Sequence, residues 1–358
     1  MKLLEQLALT PGVPGREHRV RKLIDKEIKG LFDEVRTDAL GSLICVRKAR
    51  PKASGGGGKS KSKPTKIMLA AHMDQIGFLV SFIDDKGFLR VNPVGGFDTR
   101  NLFARIVTVC PDVNDPKKDL PAVMNPGGKP VHIASPEDRK KVPELEDLTI
   151  DLGLPADEVK KKVKLGDMVV LKAPFQQVGN TFVSQCMDNR VACWIAIEAI
   201  KKLDKAKHHD CEVHCVFTVQ EEVGLRGAGT AAYGITPDIG IAIDTTLCCD
   251  TPGVPCEMRV SEQGKGAALT IMDGASIADL ALLEEIESVA KKEKIPHQRS
   301  ILPKGGTDAG TIQRAAAGAR TFTLSCPTRY IHTVTEMVHE TELNACRDLL
   351  AAYLAQSK

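Results

Sequence analysis

The segment from Val213 to Val219 is rich in β-branched and apolar residues and ends abruptly at two adjacent acids, Glu221 and Glu222. A run of that length and composition reads as a buried strand. Gly224, Gly227 and Gly229 follow, so the chain leaves the sheet straight after the acids. In an open α/β sheet, ligands bind just outside the carboxyl ends of the strands. Neighbouring residues on an extended chain point to opposite sides, so one glutamate can bind a cation while the other faces a water on it. For an isolated Glu-Glu pair, solvation at a strand end is the plainer alternative.

The same arrangement recurs along the chain. Ile67 to Ala71 reads as a buried strand that delivers His72 and Asp74. Lying two apart on an extended segment, these share a side, which lets Asp74 orient the His72 ring as carboxylates behind metal-bound imidazoles do. Thr181-Phe182-Val183 is a strand followed by Asp188 and a helix from Asn189 to Leu203, with Val191, Ile195, Ala199 and Leu203 on its buried side. Asp188 falls at the start of that helix, where capping is an ordinary use for a carboxylate. Ile239 to Ile243 forms another strand with Asp244 at its end, and the strand Thr321 to Leu324 leads to a loop bearing Tyr330-Ile331-His332. Ser276 reads as the N-cap of a long helix to about Lys294, and Glu340 to Gln356 as a closing amphipathic helix.

Strands alternating with helices over residues 1–75 and 174–358 predict an α/β fold, an α/β/α sandwich around a mostly parallel sheet. Residues 76–173 have a different texture. Phe78–Phe82 and Phe88–Val91 flank a turn at Asp84–Gly87 as a hairpin, further strands are expected at Ala104–Val109, Pro130–Ala134 and Asp167–Lys172, and only Ala156–Lys162 is helical. This predicts a small β-rich, barrel-like insertion with an assembly or gating role. The Gly/Ser/Lys tract Ala53–Lys63 lacks the phosphate-binding pattern and reads as a surface loop.

A length of 358 residues suits two domains, or one with an insertion. The 49 basic and 46 acidic residues nearly cancel, which argues against nucleic acid or a membrane surface as the main partner. No apolar stretch approaches the roughly 18 residues of a membrane span. The opening Met1-Lys2-Leu3-Leu4-Glu5 has no sustained apolar region, so the expected location is cytoplasmic. Eleven cysteines without a Cys-x-x-Cys pair read as reduced core thiols. His208, His209, Asp210 and Cys211 with His214 and Cys215 suit zinc by type, but the last two are strand neighbours that face apart.

His72, Asp188, Glu221, Glu222, Asp244 and His332 can therefore converge on one sheet edge. Two imidazoles with several carboxylates suit zinc, cobalt or manganese. Two ions about 3.5–4 Å apart could share one carboxylate and hold a hydroxide, leaving one glutamate as general base and acid. No Gly-x-Ser-x-Gly is present, and no serine, cysteine or threonine has a comparable nucleophile setting.

Ala71-His72-Met73-Asp74 with Gly77, Met187-Asp188-Asn189-Arg190, Gln220-Glu221-Glu222-Val223-Gly224, Ile243-Asp244-Thr245, Gly305-Gly306-Thr307-Asp308-Ala309 and Arg329-Tyr330-Ile331-His332 resemble, in order and spacing, the M42 metallo-aminopeptidases. That family includes the glutamyl and the tetrahedral TET aminopeptidases. The resemblance implies two divalent metal ions per subunit, zinc or cobalt, held by His72, Asp188, Glu222, Asp244 and His332. It makes Asp188 the bridging ligand, Glu221 the general base and Asp74 the support of His72. It also implies peptide substrates with a free N-terminus, dimerisation through the β-rich insertion and a homo-dodecamer. Gln75 and Asn189 depart from acids frequent in the family at those positions, and neither is a predicted ligand. The rival expectations are a dinuclear hydrolase of N-acyl amides or glucans, and an inactive assembly protein. Arg259 or Lys265 would favour acidic substrates if either reached the pocket.

Overall fold

The computed structural model describes residues 1–51 and 63–357; the Gly/Ser/Lys tract, apart from Lys63, lies outside them. Two helices open the chain, followed by strands β1 (Glu34–Thr37), β2 (Leu43–Arg47) and β3 (Lys66–His72). Six strands then close a barrel: β4 (Gly77–Ile83), β5 (Leu89–Val94), β6 (Arg105–Cys110), β7 (Leu120–Pro126), β8 (Leu148–Asp151) and β9 (Met168–Leu171). The remainder returns to the first sheet as β10 (Gln176–Val178), β11 (Thr181–Ser184), β12 (Glu212–Thr218), β13 (Ile239–Leu247), β14 (Ala267–Met272), β15 (His297–Ile301), β16 (Arg320–Arg329) and β17 (Glu336–His339).

Among the described residues the large sheet has the order β1-β2-β12-β3-β13-β16-β17-β11-β10, with β14 also on β16 and β15 beyond it. The adjacent strands β12, β3, β13 and β16 run parallel and form its centre; its margins are mainly antiparallel. The central runs are continuous rather than alternating because helices cover both faces of the sheet. Helices α1 (Lys2–Leu9) and α2 (His18–Glu27) lie on one face, and α3 (Ala156–Lys162) inserts Val159 into the barrel core. The first face is completed by α4 (Met187–Ala206); α5 (Arg226–Ile235) covers the other. Next, α6 (Leu280–Lys292) joins the first face, α7 (Ala309–Ile312) the second, and α8 (Glu340–Gln356) the first again. No described helix is long and apolar enough to cross a membrane.

Two registers set up the site. Thr218 stands opposite His72 where β12 and β3 end together. β13 pairs with β16 over its whole length, from Ile239 opposite Arg320 to Leu247 opposite Thr328. Asp244 is therefore inside a strand rather than at its end.

The barrel buries Phe78, Leu89, Val107, Met124, Ile150 and Val169, and Arg19 reaches from α2 to Asp119 at 2.7 Å. Two local expectations fail for identifiable reasons. Pro130–Ala134 is a turn, closed by Ile133 N donating to Pro130 O, and it leaves Val131 and Ile133 exposed. The barrel strand in this region is β7, which the prolines at 121 and 126 conceal from pattern reading. Helix α6 starts at Leu280, because the Asp279 carboxylate accepts from Leu282 N at 2.8 Å. Ser276 instead belongs to a turn closed by Asp273.

Candidate metal centre

The six strand-edge residues singled out from the sequence meet in one cavity of ≈ 570 Å³. His72 is the last residue of β3 and only 2% exposed. Its Nδ1 lies 3.1 Å from the backbone carbonyl of Asp74, and its Nε2 faces Asp188 Oδ1 (3.3 Å), Glu221 Oε2 (3.7 Å) and Asp244 Oδ1 (3.8 Å). A carbonyl only accepts, so Nδ1 carries a proton and Nε2 is the atom turned towards the acids.

Asp188 does not cap α4. It and Asn189 have non-helical φ/ψ, and the peptide bond between them is cis. Its carboxylate spans two imidazoles: Oδ1 faces His72, and Oδ2 lies 3.7 Å from His332 Nε2. His332 Nε2 also lies 3.4 Å from Glu222 Oε2. His72, Asp188 and Glu222 present donor atoms within 4.8 Å of one another, as do His72, Glu221 and Asp244.

Glu221 and Glu222 reach this place by a turn, not by the alternation of an extended strand. β12 stops at Thr218, and Gln220 takes a left-handed φ of +56°. The turn is pinned by two buried carboxylates. Asp74 Oδ1 accepts from Glu221 N and Oδ2 from Glu222 N, each at 3.1 Å. Glu17 Oε1 accepts from Gln220 N at 3.1 Å and Gly15 N at 2.8 Å. The Asp74 carboxylate thus holds the two glutamates, although its Oδ1 also lies 3.6 Å from His72 Nδ1.

Glu336, buried at the start of β17, does the same on the far side. Its Oε2 accepts from Asp188 N (2.9 Å) and its Oε1 from His332 N (2.7 Å). Sequence reading missed Glu17 and Glu336. Neither follows an apolar run, and each acts on backbone amides that only tertiary contact brings near. Asp308, in the Gly-Gly-Thr-Asp stretch, is a further buried acid; it accepts from Thr218 Oγ1 at 2.6 Å.

Crowding so many acids out of water disfavours their charged forms. Burial is the main cause that raises Glu221, Glu222, Asp244 and Glu336 well above the usual carboxylate range, and it pushes Asp308 up to about 6. Burial opposes the charge of His72 too, but Glu221 and the contacts with Asp188 and Asp74 outweigh it and raise the ring. Burial likewise opposes the Asp188 charge, and His72 and His332 outweigh it. The donor set fits divalent cations: imidazole nitrogens and carboxylate oxygens converge, and Glu222 Oε1 is buried with no hydrogen-bond partner among the described residues.

The remaining clusters do not assemble in this way. His209 contacts Arg47 and the Cys211 carbonyl, and His214 pairs with Glu212. A second groove of ≈ 620 Å³, lined by Met258, Arg259, Ile271, Arg299 and Ile301 among others, contains none of the metal-donor residues.

The profile of the M42 glutamyl aminopeptidase family matches residues 56–349. The lysyl aminopeptidase of Pyrococcus furiosus is 31% identical, over 100% of this chain and 97% of its own length. Among solved structures, an aminopeptidase from Desulfurococcus kamchatkensis superimposes with a TM-score of 0.90 at 36% identity, covering 100% of this chain and 94% of that one. The TET1 peptidase of Pyrococcus horikoshii, described as able to assemble into a tetrahedron or a large octahedral shell, gives 0.85 at 31% identity and covers 99% of both chains. With the family profile spanning most of its length, the chain belongs to the M42 glutamyl aminopeptidase family and is an aminopeptidase.

Proposed function

We propose that this chain removes N-terminal residues from peptides at a two-metal centre bridged by Asp188. The observation that carries the reading is the Asp188 carboxylate, whose two oxygens face different imidazoles. His72 and Asp244 would complete one ion's donors, and Glu222 and His332 the other's. When bound, two divalent ions such as zinc or cobalt would polarise the scissile carbonyl and make a water more acidic. Glu221 is the general base, although its distance from His72 would also allow it to act as a ligand. Its Oε2 takes a proton from the water that adds to the carbonyl carbon, then returns it to the amine nitrogen as the C–N bond breaks. The acids around the site hold the free α-ammonium of the substrate. Asp74, Glu17 and Glu336 fix the backbone that carries the donors.

The segment containing the barrel, residues 76–173, is assigned as the self-association domain of a dodecamer. Support comes from a solved structure of a TET1 relative described as a dodecamer and from Phe82, Ile106 and Val123, which are apolar and exposed on barrel strands. Light scattering tests this assignment. A cytoplasmic location is supported by eleven unpaired thiols.

Glu221→Gln is the direct test of the chemistry. It should keep the full metal complement by elemental analysis and lose about 10²–10⁴ in turnover on aminoacyl p-nitroanilides. A variant near the wild-type rate would remove Glu221 from its role. Activity confined to N-acyl amides or oligosaccharides would reject the peptidase reading.

A further inference from the structure

Among the described residues, Arg47 and Arg190 are the arginines buried completely, each 0% exposed. Arg47 faces an acid: its Nη2 donates to Asp204 Oδ1 at 2.8 Å. Arg190 has no acid within ion-pairing distance among the described residues. Its Nη1 donates to the carbonyls of Leu7 (2.7 Å) and Thr10 (2.8 Å). Its Nη2 lies 3.4 Å from Gly12 O and 3.5 Å from Gln75 Oε1, and its Nε is buried without a hydrogen-bond partner. A buried cation is costly unless its charge is compensated, yet every acceptor here is neutral.

Those acceptors sit on the two segments that carry the anchoring carboxylates. Leu7 to Gly12 forms a strap that leads from α1 to Glu17, which holds Gln220 N. Gln75 follows Asp74, which holds Glu221 N and Glu222 N, and Gln75 N donates to Gly12 O at 3.0 Å. Arg190 itself is the first residue of α4 after the non-helical pair Asp188 and Asn189. One guanidinium thus joins the stretch bearing Asp188 to both stretches that fold the glutamate turn. The packing leaves little slack, since a Cβ on Gly12 would lie 2.9 Å from Val20 Cγ2 and 3.4 Å from Arg190 Nη2.

We propose that Arg190 is a positioning residue of the donor cluster. Its planar fork sets the place of Asp188 relative to the Glu221–Glu222 turn. Its charge, which carbonyls and an amide do not neutralise, supports the buried acids of the site. This rests on the two-metal reading above. Lysine does not replace it, because a single ammonium on a flexible stem cannot hold several acceptors in the geometry of the fork. The chain should still fold without the guanidinium. Its loss strands no acid, and Leu7 O and Gly12 O keep Thr10 N (3.3 Å) and Gln75 N (3.0 Å) as donors.

The experiment uses the metal-free full chain as wild type, Arg190→Met, Arg190→Lys and Gly12→Ala, the last of which pushes the strap away from an intact arginine. Each is titrated with zinc in a calorimeter, and its amide hydrogen exchange is followed before metal is added. Arg190→Met should bind zinc about 10–100-fold more weakly, and Gly12→Ala about tenfold, the usual scale for disturbing a group behind the ligands. Arg190→Lys should stay closer to Arg190→Met than to wild type. Exchange in Arg190→Met should quicken at Asp188–Arg190 and Gln220–Glu222 and keep its wild-type rate on the barrel strands. Unchanged zinc affinity in Arg190→Met overturns the proposal, as does full recovery in Arg190→Lys. So does exchange that quickens evenly through α1 and α4, the mark of a cation that only stabilises the fold. Should Arg190→Met fail to fold, Gly12→Ala decides alone, and unchanged affinity there overturns the proposal. If wild type takes up no zinc, the two-metal reading fails. Faster exchange confined to the two turns then still upholds the role of Arg190, and unchanged exchange there overturns it.

Discussion

The two arms of the donor cluster on either side of Asp188 are built differently. His72 ends a central parallel strand and is 2% exposed, with Asp244 inside the neighbouring strand. His332 sits on a loop in a left-handed conformation (φ +63°), and its side chain is 35% exposed. The deep arm inherits its positions from sheet register. The shallow arm depends on Glu336, which accepts from both His332 N and Asp188 N. Rigid strands fix one half of the site, and a buried carboxylate fixes the other.

Asp188→Ala should break this comparison most severely, because it removes the one residue common to both arms. The expected outcome is loss of both ions in elemental analysis and of turnover to background. Retention of two ions would mean that the arms do not share this ligand. Graded chelation gives the next effect. The ion on the His332 arm should leave first, so titration with a chelator should show two steps, with activity lost in the first. A single concerted step would remove the distinction between the arms.

Glu336→Gln keeps the shape of the clamp but replaces one of its two accepting oxygens with an amide donor. Metal affinity should fall about 10–100-fold, the usual cost of disturbing a group behind the ligands, and His332 should be affected before His72. Calorimetric metal titration would show it; unchanged affinity on both arms would mean that the loop holds itself.

The smallest effect concerns the Gln220 turn. Burial, and then Asp74, raise Glu17 from 4.5 to about 7. Between those values the folded protein keeps a proton that the unfolded chain has released. Stability from this group therefore declines as pH rises through that window, by at most about 3 kcal/mol. Glu17→Gln should flatten the decline between pH 5 and 7.5 in denaturant titrations. If the variant keeps the full wild-type slope, another acid is responsible.

Much of the site was legible because most of the candidate donors follow a short local pattern. Ile67–Ala71 before His72 and Val213–Val219 before the glutamates are continuous apolar runs, and chain polarity alone puts their ends on one edge of a parallel sheet. Local patterns failed where a distant group decides. Asp188 resembles a helix cap until Glu336 takes its amide. Glu221 and Glu222 resemble strand neighbours until Asp74 and Glu17 fold the chain at Gln220. Val131 and Ile133 read as strand residues, yet they find no pairing partner and remain in a turn.

By itself, then, the sequence determined the class of fold and named the acids and imidazoles that meet in one cavity, since hydrophobic runs and the residues ending them are properties of neighbouring positions. The division of labour among the acids was decided by tertiary structure. A carboxylate whose oxygens end on backbone amides, as in Asp74 and Glu336, is an anchor; one left facing imidazoles, as in Asp188, is available to a cation. Which of the two it becomes depends on groups up to 203 residues away, the separation of Glu17 and Gln220, and no local pattern records such a contact.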